Sequence, residues 1–186
     1  TRQVGSGAVV SGGLWNMDGN VYKATTGLLS NLTLAQPFLL VAVFDPAAQP
    51  ASFASIIKVG SGTYVSMARA GSPNAFGMYS YVNPTLLYKA FPAAPAGASA
   101  FWIYYDADAV SPAFHLGINQ TDGDTQASSY APSSNFGRQL QVGGDGTTAY
   151  SKMLHGSFEV VSRSGMTLSQ AKAIVAKVQA HHGIAL

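Results

Sequence analysis

The stretch Phe38-Leu39-Leu40-Val41-Ala42-Val43-Phe44 is apolar at every position and is closed by the turn pair Asp45-Pro46. Its length falls far short of the roughly 20 residues that a membrane-spanning helix needs. A short, unbroken apolar run bounded by turn residues reads as a central strand covered on both faces.

Runs elsewhere in the chain alternate. In 75–82, Phe76, Met78, Ser80 and Val82 share one face while Tyr79 and Tyr81 share the other. In 101–106, Phe101, Ile103 and Tyr105 oppose Trp102, Tyr104 and Asp106; in 114–119, Phe114, Leu116 and Ile118 oppose His115 and Asn119. A period of two places each set on one side of a pleated sheet. Turn signals such as Gly60-Ser61-Gly62, Gly71-Ser72-Pro73-Asn74, Asn83-Pro84 and Asp122-Gly123-Asp124 separate the runs. Short β-rich runs punctuated in this way read as an all-β sandwich or barrel. The stretch 91–100, with two prolines and a glycine among its alanines, reads as a connection between strands that cover one another.

Only the C-terminus changes period. Leu168, Ala171, Ile174, Val175 and Val178 form the stripe of an amphipathic helix running from Leu168 to about His182. Thr167 and Gln170 have the spacing of a capping box, and Gly183 supplies a left-handed stop. His181 and His182 then fall at the negative end of the helix dipole.

With 186 residues, 47% of them hydrophobic, the chain supports one domain, residues 1–186, with its own core. Charged residues make up 10%, against roughly 25% in an ordinary domain, which excludes a coiled coil, a charge-laced bundle and a disordered tail. The net charge of +2 comes from ten cations and eight anions scattered singly. No cluster can neutralise several phosphates, so nucleic acid is not an expected partner. Without cysteine there is no disulfide, thiolate metal site or thiol nucleophile. A chain opening on Thr1-Arg2-Gln3 is expected to be a processed chain or a fragment of a longer polypeptide.

Catalytic patterns are sparse. Cleavage of a glycosidic bond ordinarily needs two carboxylates across it, and Glu159 is the one glutamate beside seven aspartates. Asp106 and Asp108 are the nearest pair, at a strand end entering the Ser111-Pro112 turn. Gly-x-Ser-x-Gly is absent, and the four histidines miss zinc-ligand spacing. A lyase would have to be assembled from Tyr104, His115 and Arg138, so no turnover of a bound glycan is expected. Asn119, Asp122 and Asp124 put hard oxygen ligands of the kind calcium takes into one short segment. Turn preferences favour a plain Asx-turn there.

What remains is an aromatic and polar set, Tyr79, Tyr81, Tyr88, Trp102, Tyr104, His115 and Asn119, on the side opposite the apolar residues of their strands. Aromatic faces pack on the C–H surfaces of sugars while hydroxyl, amide and imidazole groups fix the ring hydroxyls. The competing reading is a face covered by another sheet, by the helix, or by a neighbouring subunit in a homo-oligomer.

The last fifty residues carry a resemblance. Leu140-Gln141-Val142-Gly143-Gly144, then His155-Gly156-Ser157-Phe158-Glu159-Val160-Val161, then Met166-Thr167-Leu168-Ser169 and a helix ending His182-Gly183-Ile184 is similar to the end of concanavalin A-like lectin/glucanase domains, the laminin-G-like group. That resemblance implies a two-sheet antiparallel jelly-roll sandwich with one C-terminal α-helix, a glycan or cell-surface polysaccharide as ligand, and a place at a phage tail-fibre tip, in an adhesin, or otherwise on a virion or cell surface. The glucanase members carry a Glu-x-Asp-x-x-Glu type strand that this chain lacks, which sets the expectation at receptor binding without catalysis.

Overall fold

The computed structural model describes residues 9–11, 14–16, 23–25, 35–46, 54–60, 64–69, 76–82, 85–93, 95–128, 139–142 and 154–185. Thirteen strands among them form two sheets. They are β1 (Val9–Ser11), β2 (Leu14–Asn16), β3 (Lys23–Thr25), β4 (Phe38–Phe44), β5 (Ala54–Gly60), β6 (Tyr64–Arg69), β7 (Phe76–Val82), β8 (Thr85–Ala90), β9 (Ser99–Asp106), β10 (Ala113–Ile118), β11 (Thr121–Ala127), β12 (Gln139–Val142) and β13 (Leu154–Ser162). One helix, α1 (Leu168–His181), follows.

The seven-stranded sheet has the order β1-β2-β13-β4-β9-β10-β11 and the six-stranded sheet β3-β12-β5-β6-β7-β8. Every neighbouring pair in both is antiparallel. The fold is therefore the expected sandwich, with a single helix among the described residues.

Strand β4 explains why a seven-residue apolar run sits at the centre. Phe38, Leu40, Ala42 and Phe44 point into the core between the sheets, where they meet Phe101, Ile103 and Tyr105 of β9 and Ile57, Val59, Met67 and Met78 of the opposite sheet. The Phe44 and Phe101 rings stack at 3.9 Å and the Phe38 and Tyr105 rings at 5.4 Å. Leu39, Val41 and Val43 point the other way into a second core, closed by Met166, Ala171, Val175 and Val178. A strand in mid-sheet under a helix has no solvent side, so neither set of its side chains can be polar.

Helix α1 starts at a complete capping box: the Thr167 side chain accepts from the Gln170 backbone, and the Gln170 side chain accepts from the Thr167 backbone. Gly183, at φ 65°, ends it. Leu168 and Ile174 pack half-buried beside the fully enclosed Ala171 and Val175. Polar ties fix the helix in place: Gln120 Nε2 donates to Gln179 Oε1 at 2.6 Å, and Lys172 pairs with Asp122 at 2.9 Å. On the other side, Lys89 of edge strand β8 pairs with Asp124 of edge strand β11 at 2.9 Å, linking the two sheets.

Candidate functional site

The seven residues nominated by alternation divide between the two sheets, and the described side chains among them lie outside the inter-sheet core cluster. Trp102, Tyr104, His115 and Asn119 belong to the seven-stranded sheet, and Tyr79, Tyr81 and Tyr88 to the six-stranded one. They form two surfaces on opposite sides of the sandwich.

The first surface is closed, which corrects the expectation for Trp102 and Tyr104 as sugar-stacking residues. Trp102 is 1% exposed and Tyr104 0%. The apolar stripe of α1 needs an apolar partner, and these two rings with Leu39, Val41 and Val43 supply it. The Trp102 indole lies over Gly117, where a Cβ would fall 2.1 Å from the ring, and its Nε1 donates to the Asn119 carbonyl at 2.9 Å. The Tyr104 hydroxyl donates to the Met166 carbonyl. His115 remains half-buried at the margin, with Nδ1 3.4 Å from Thr125 Oγ1 and its ring 5.9 Å from that of Tyr104.

Burial pushes the Tyr104 phenol up to about 12, and the carboxylates of Asp106 and Asp108 push in the same direction. The fold thus favours the protonated phenol. Its contribution to stability is complete below about pH 10 and is lost as pH rises from about 10 to about 12, because the unfolded chain ionises first. Urea unfolding across that window is expected to show this decline in the wild type and a flatter one in Tyr104→Phe. Parallel declines in the two proteins would contradict the assignment.

For the expected cation ligands Asn119, Asp122 and Asp124 the structure shows other partners. The two carboxylates are engaged by Lys172 and Lys89, and Asn119 Oδ1 accepts from the Ala100 backbone at 2.9 Å. Among the described residues, no group of three or more acidic or imidazole side chains could hold a metal ion. Asn119 occupies the left-handed region at φ 54° in the two-residue β10–β11 turn, a conformation asparagine tolerates well.

Glu159 is exposed on β13 in a groove of about 330 Å³ lined by Ile174, Lys177, Val178 and His181. The groove sets the Lys177 ammonium and the His181 imidazole beside Glu159, with no second carboxylate among its described lining residues. Burial and the adjacent His181 hold the His182 imidazole below its ordinary value, with Glu159 opposing them. Arg138, the third group a lyase would need, lies outside the described residues.

The second surface is the outer face of the six-stranded sheet. Register aligns Lys58, Ser66, Tyr79 and Tyr88 in one row across β5, β6, β7 and β8. Tyr88 is 42% exposed, and its ring centroid lies 4.8 Å from that of Tyr79. The Tyr88 ring spreads over Gly77, where a Cβ would stand 2.1 Å from its Cε2. Glycine there leaves the room that the ring occupies. Burial raises the Tyr79 phenol above its ordinary value, with Tyr88 and Tyr64 adding to the shift. Tyr64, opposite Tyr81 in the register, carries the Lys58 ammonium 4.3 Å above its ring. The side chain of Tyr81 lies outside the described residues.

Alternation nominates Tyr79, Tyr81 and Tyr88 and does not single out Tyr64, Lys58 or Gly77. The signal for Tyr64 was available in the alternation of Tyr64 and Ser66 with Val65 and Met67. Gly77 carried none, because its role depends on the register between β7 and β8.

No protein-family model matches the sequence, and no curated protein does. Solved structures share the fold. The binding domain of botulinum neurotoxin serotype G superposes with a TM-score of 0.73 at 11% identity, over 96% of this chain and 46% of the other. This chain therefore spans about half the length of that binding domain. The Ruminococcus gnavus IT-sialidase CBM40 bound to α2,3 sialyllactose gives 0.64 at 14% identity, covering 87% and 96% of the two chains. Mouse laminin α1 domains LG4-5 give 0.63 at 11% identity over 86% and 44%. The chain thus shares the two-sheet antiparallel β-sandwich of these structures. At such identities the likeness extends to the fold and assigns no residue a role.

Proposed function

We propose that this chain is a non-catalytic glycan-binding domain that uses the outer face of its six-stranded sheet. The observation that carries this reading is the position of Tyr88, exposed, over Gly77 and against Tyr79, while α1 closes the outer face of the other sheet. An aromatic face at a solvent boundary suits the C–H surface of a pyranose, and the flanking phenol and ammonium groups suit its hydroxyls. Support comes from structural neighbours: the CBM40 is bound to sialyllactose, and the botulinum neurotoxin D ligand binding domain is in complex with N-acetylneuraminic acid. The domain acts outside the cell as the receptor-binding part of a larger surface protein, in the most specific form a phage tail-fibre tip.

A glycan array probed with wild type and with Tyr88→Ala tests the proposal. The wild type is expected to mark a set of glycans, and the variant to lose several-fold in affinity for them at unchanged melting temperature. Loss of one stacked aromatic contact corresponds to about 1 kcal/mol. A silent array, together with an oligomer in sedimentation that Tyr88→Ala dissociates, would instead make this face an assembly contact.

A further inference from the structure

A separate pocket lies at the edge of the sandwich, between the connection from β8 to β9 and the β10–β11 turn. It is a half-open recess of about 270 Å³ lined by Pro92, Ala93, Pro95, Ile118, Asn119 and Thr121.

Its walls are set before any ligand arrives. Phe91 is buried in the inter-sheet core against Phe101, edge to face at 5.5 Å, and its backbone donates to the Phe76 carbonyl at 2.8 Å. Pro92 seats on Gly123, where a Cβ would fall 2.7 Å from its ring. Asn119 is held from three directions. Its backbone N–H donates to the Ala100 carbonyl at 2.7 Å, its Oδ1 accepts from the Ala100 N–H at 2.9 Å, and its carbonyl accepts from Trp102 Nε1 at 2.9 Å. Among the described residues, neither the Asn119 Nδ2 group nor the Thr121 hydroxyl has a hydrogen-bond partner. Asn119 thus presents fixed donors, and an exposed hydroxyl that donates or accepts stands two residues away.

No lining residue is charged, so the ligand group is neutral. Proline and isoleucine walls ask for C–H surface, the Asn119 amide asks for an acceptor, and the Thr121 hydroxyl takes an N–H. An acetamido group joins these three features in one small unit: a methyl, a carbonyl and an N–H. We infer that this pocket is a second subsite, one that takes the acetamido group of an N-acetylated sugar, with its carbonyl on Asn119 and its methyl against Pro92, Pro95 and Ile118. The inference rests on the glycan-binding reading but uses a surface that the tyrosine row does not supply.

The test is titration of the isotope-labelled chain with methyl N-acetyl-β-glucosaminide and, separately, with methyl β-glucoside. The acetamido sugar is expected to shift the Asn119 side-chain amide and Thr121 backbone signals, and the plain glucoside to leave them in place. Asn119→Asp keeps the acceptor for the Ala100 N–H and the left-handed backbone while removing the donor, and is expected to weaken binding about tenfold. Thr121→Val, at an exposed position, is expected to weaken it several-fold and guards against a folding defect in the first variant. Equal shifts from both sugars, no shift at about 10 mM acetamido sugar, or unchanged binding by both variants would overturn the inference. Tyr88→Ala separates the two proposals: it should leave these shifts intact while reducing array binding, so each reading can fail without the other.

Discussion

A chain ending at Ser164 is expected to lose its native fold. Helix α1 covers Leu39, Val41, Val43, Ala100, Trp102 and Tyr104, all buried in the intact protein. Uncovering the four largest, at about 1.5–3 kcal/mol each, amounts to roughly 6–12 kcal/mol, comparable with the whole net stability of an ordinary domain. Truncation also removes the partners of Asp122, Gln120 and the Tyr104 hydroxyl's acceptor Met166. The truncated chain should show no cooperative thermal transition and should bind a hydrophobic dye. Melting at the wild-type temperature would mean that the helix is not part of the core.

A comparably large effect is expected at the Gly117 and Trp102 contact beneath that helix. A Cβ on Gly117 would fall 2.1 Å from Trp102 Cζ2 and 2.6 Å from the Thr121 carbonyl. The indole is buried against the helix side and fixed by its bond to Asn119, so it cannot retreat freely. Gly117→Ala should therefore cost about 1–3 kcal/mol through overpacking. Trp102→Ala should cost about 3–5 kcal/mol through the cavity it leaves. The double variant should lose clearly less than the sum, because removing the indole removes the clash with the indole and leaves only the carbonyl contact. Urea unfolding of the three proteins measures this; strict additivity, or Gly117→Ala at wild-type stability, would contradict the packing.

The fold was legible because its main elements obey local rules without conflict. The run from Phe38 to Phe44 declared burial on both faces, and the change of period at Leu168 declared the helix with its capping box. What was not legible was which outward face the helix would occupy. Alternation put Trp102 and Tyr104 opposite Phe101 and Ile103, as observed, but alternation reports the side of a strand and says nothing about what lies above that side. The cover comes from a helix some 60 residues further along the chain, and a long-range contact of that kind leaves no trace in the local pattern. The same limit explains Asp122 and Asp124. Their spacing suggested oxygen ligands, whereas Lys172 and Lys89, distant in sequence, engage both carboxylates. Gly77 and Gly117 complete the point, since each matters through one aromatic ring that strand register lays across it.

The most direct test of the tyrosine face as the glycan-binding surface is a chemical-shift map recorded with the strongest array ligand. The account predicts that the largest perturbations fall on Tyr79, Tyr88 and their row neighbours Ser66 and Lys58, with Trp102, Tyr104 and the residues of α1 unmoved. Perturbations concentrated on α1 and the strands beneath it, with the Tyr79 and Tyr88 signals unchanged, would contradict it.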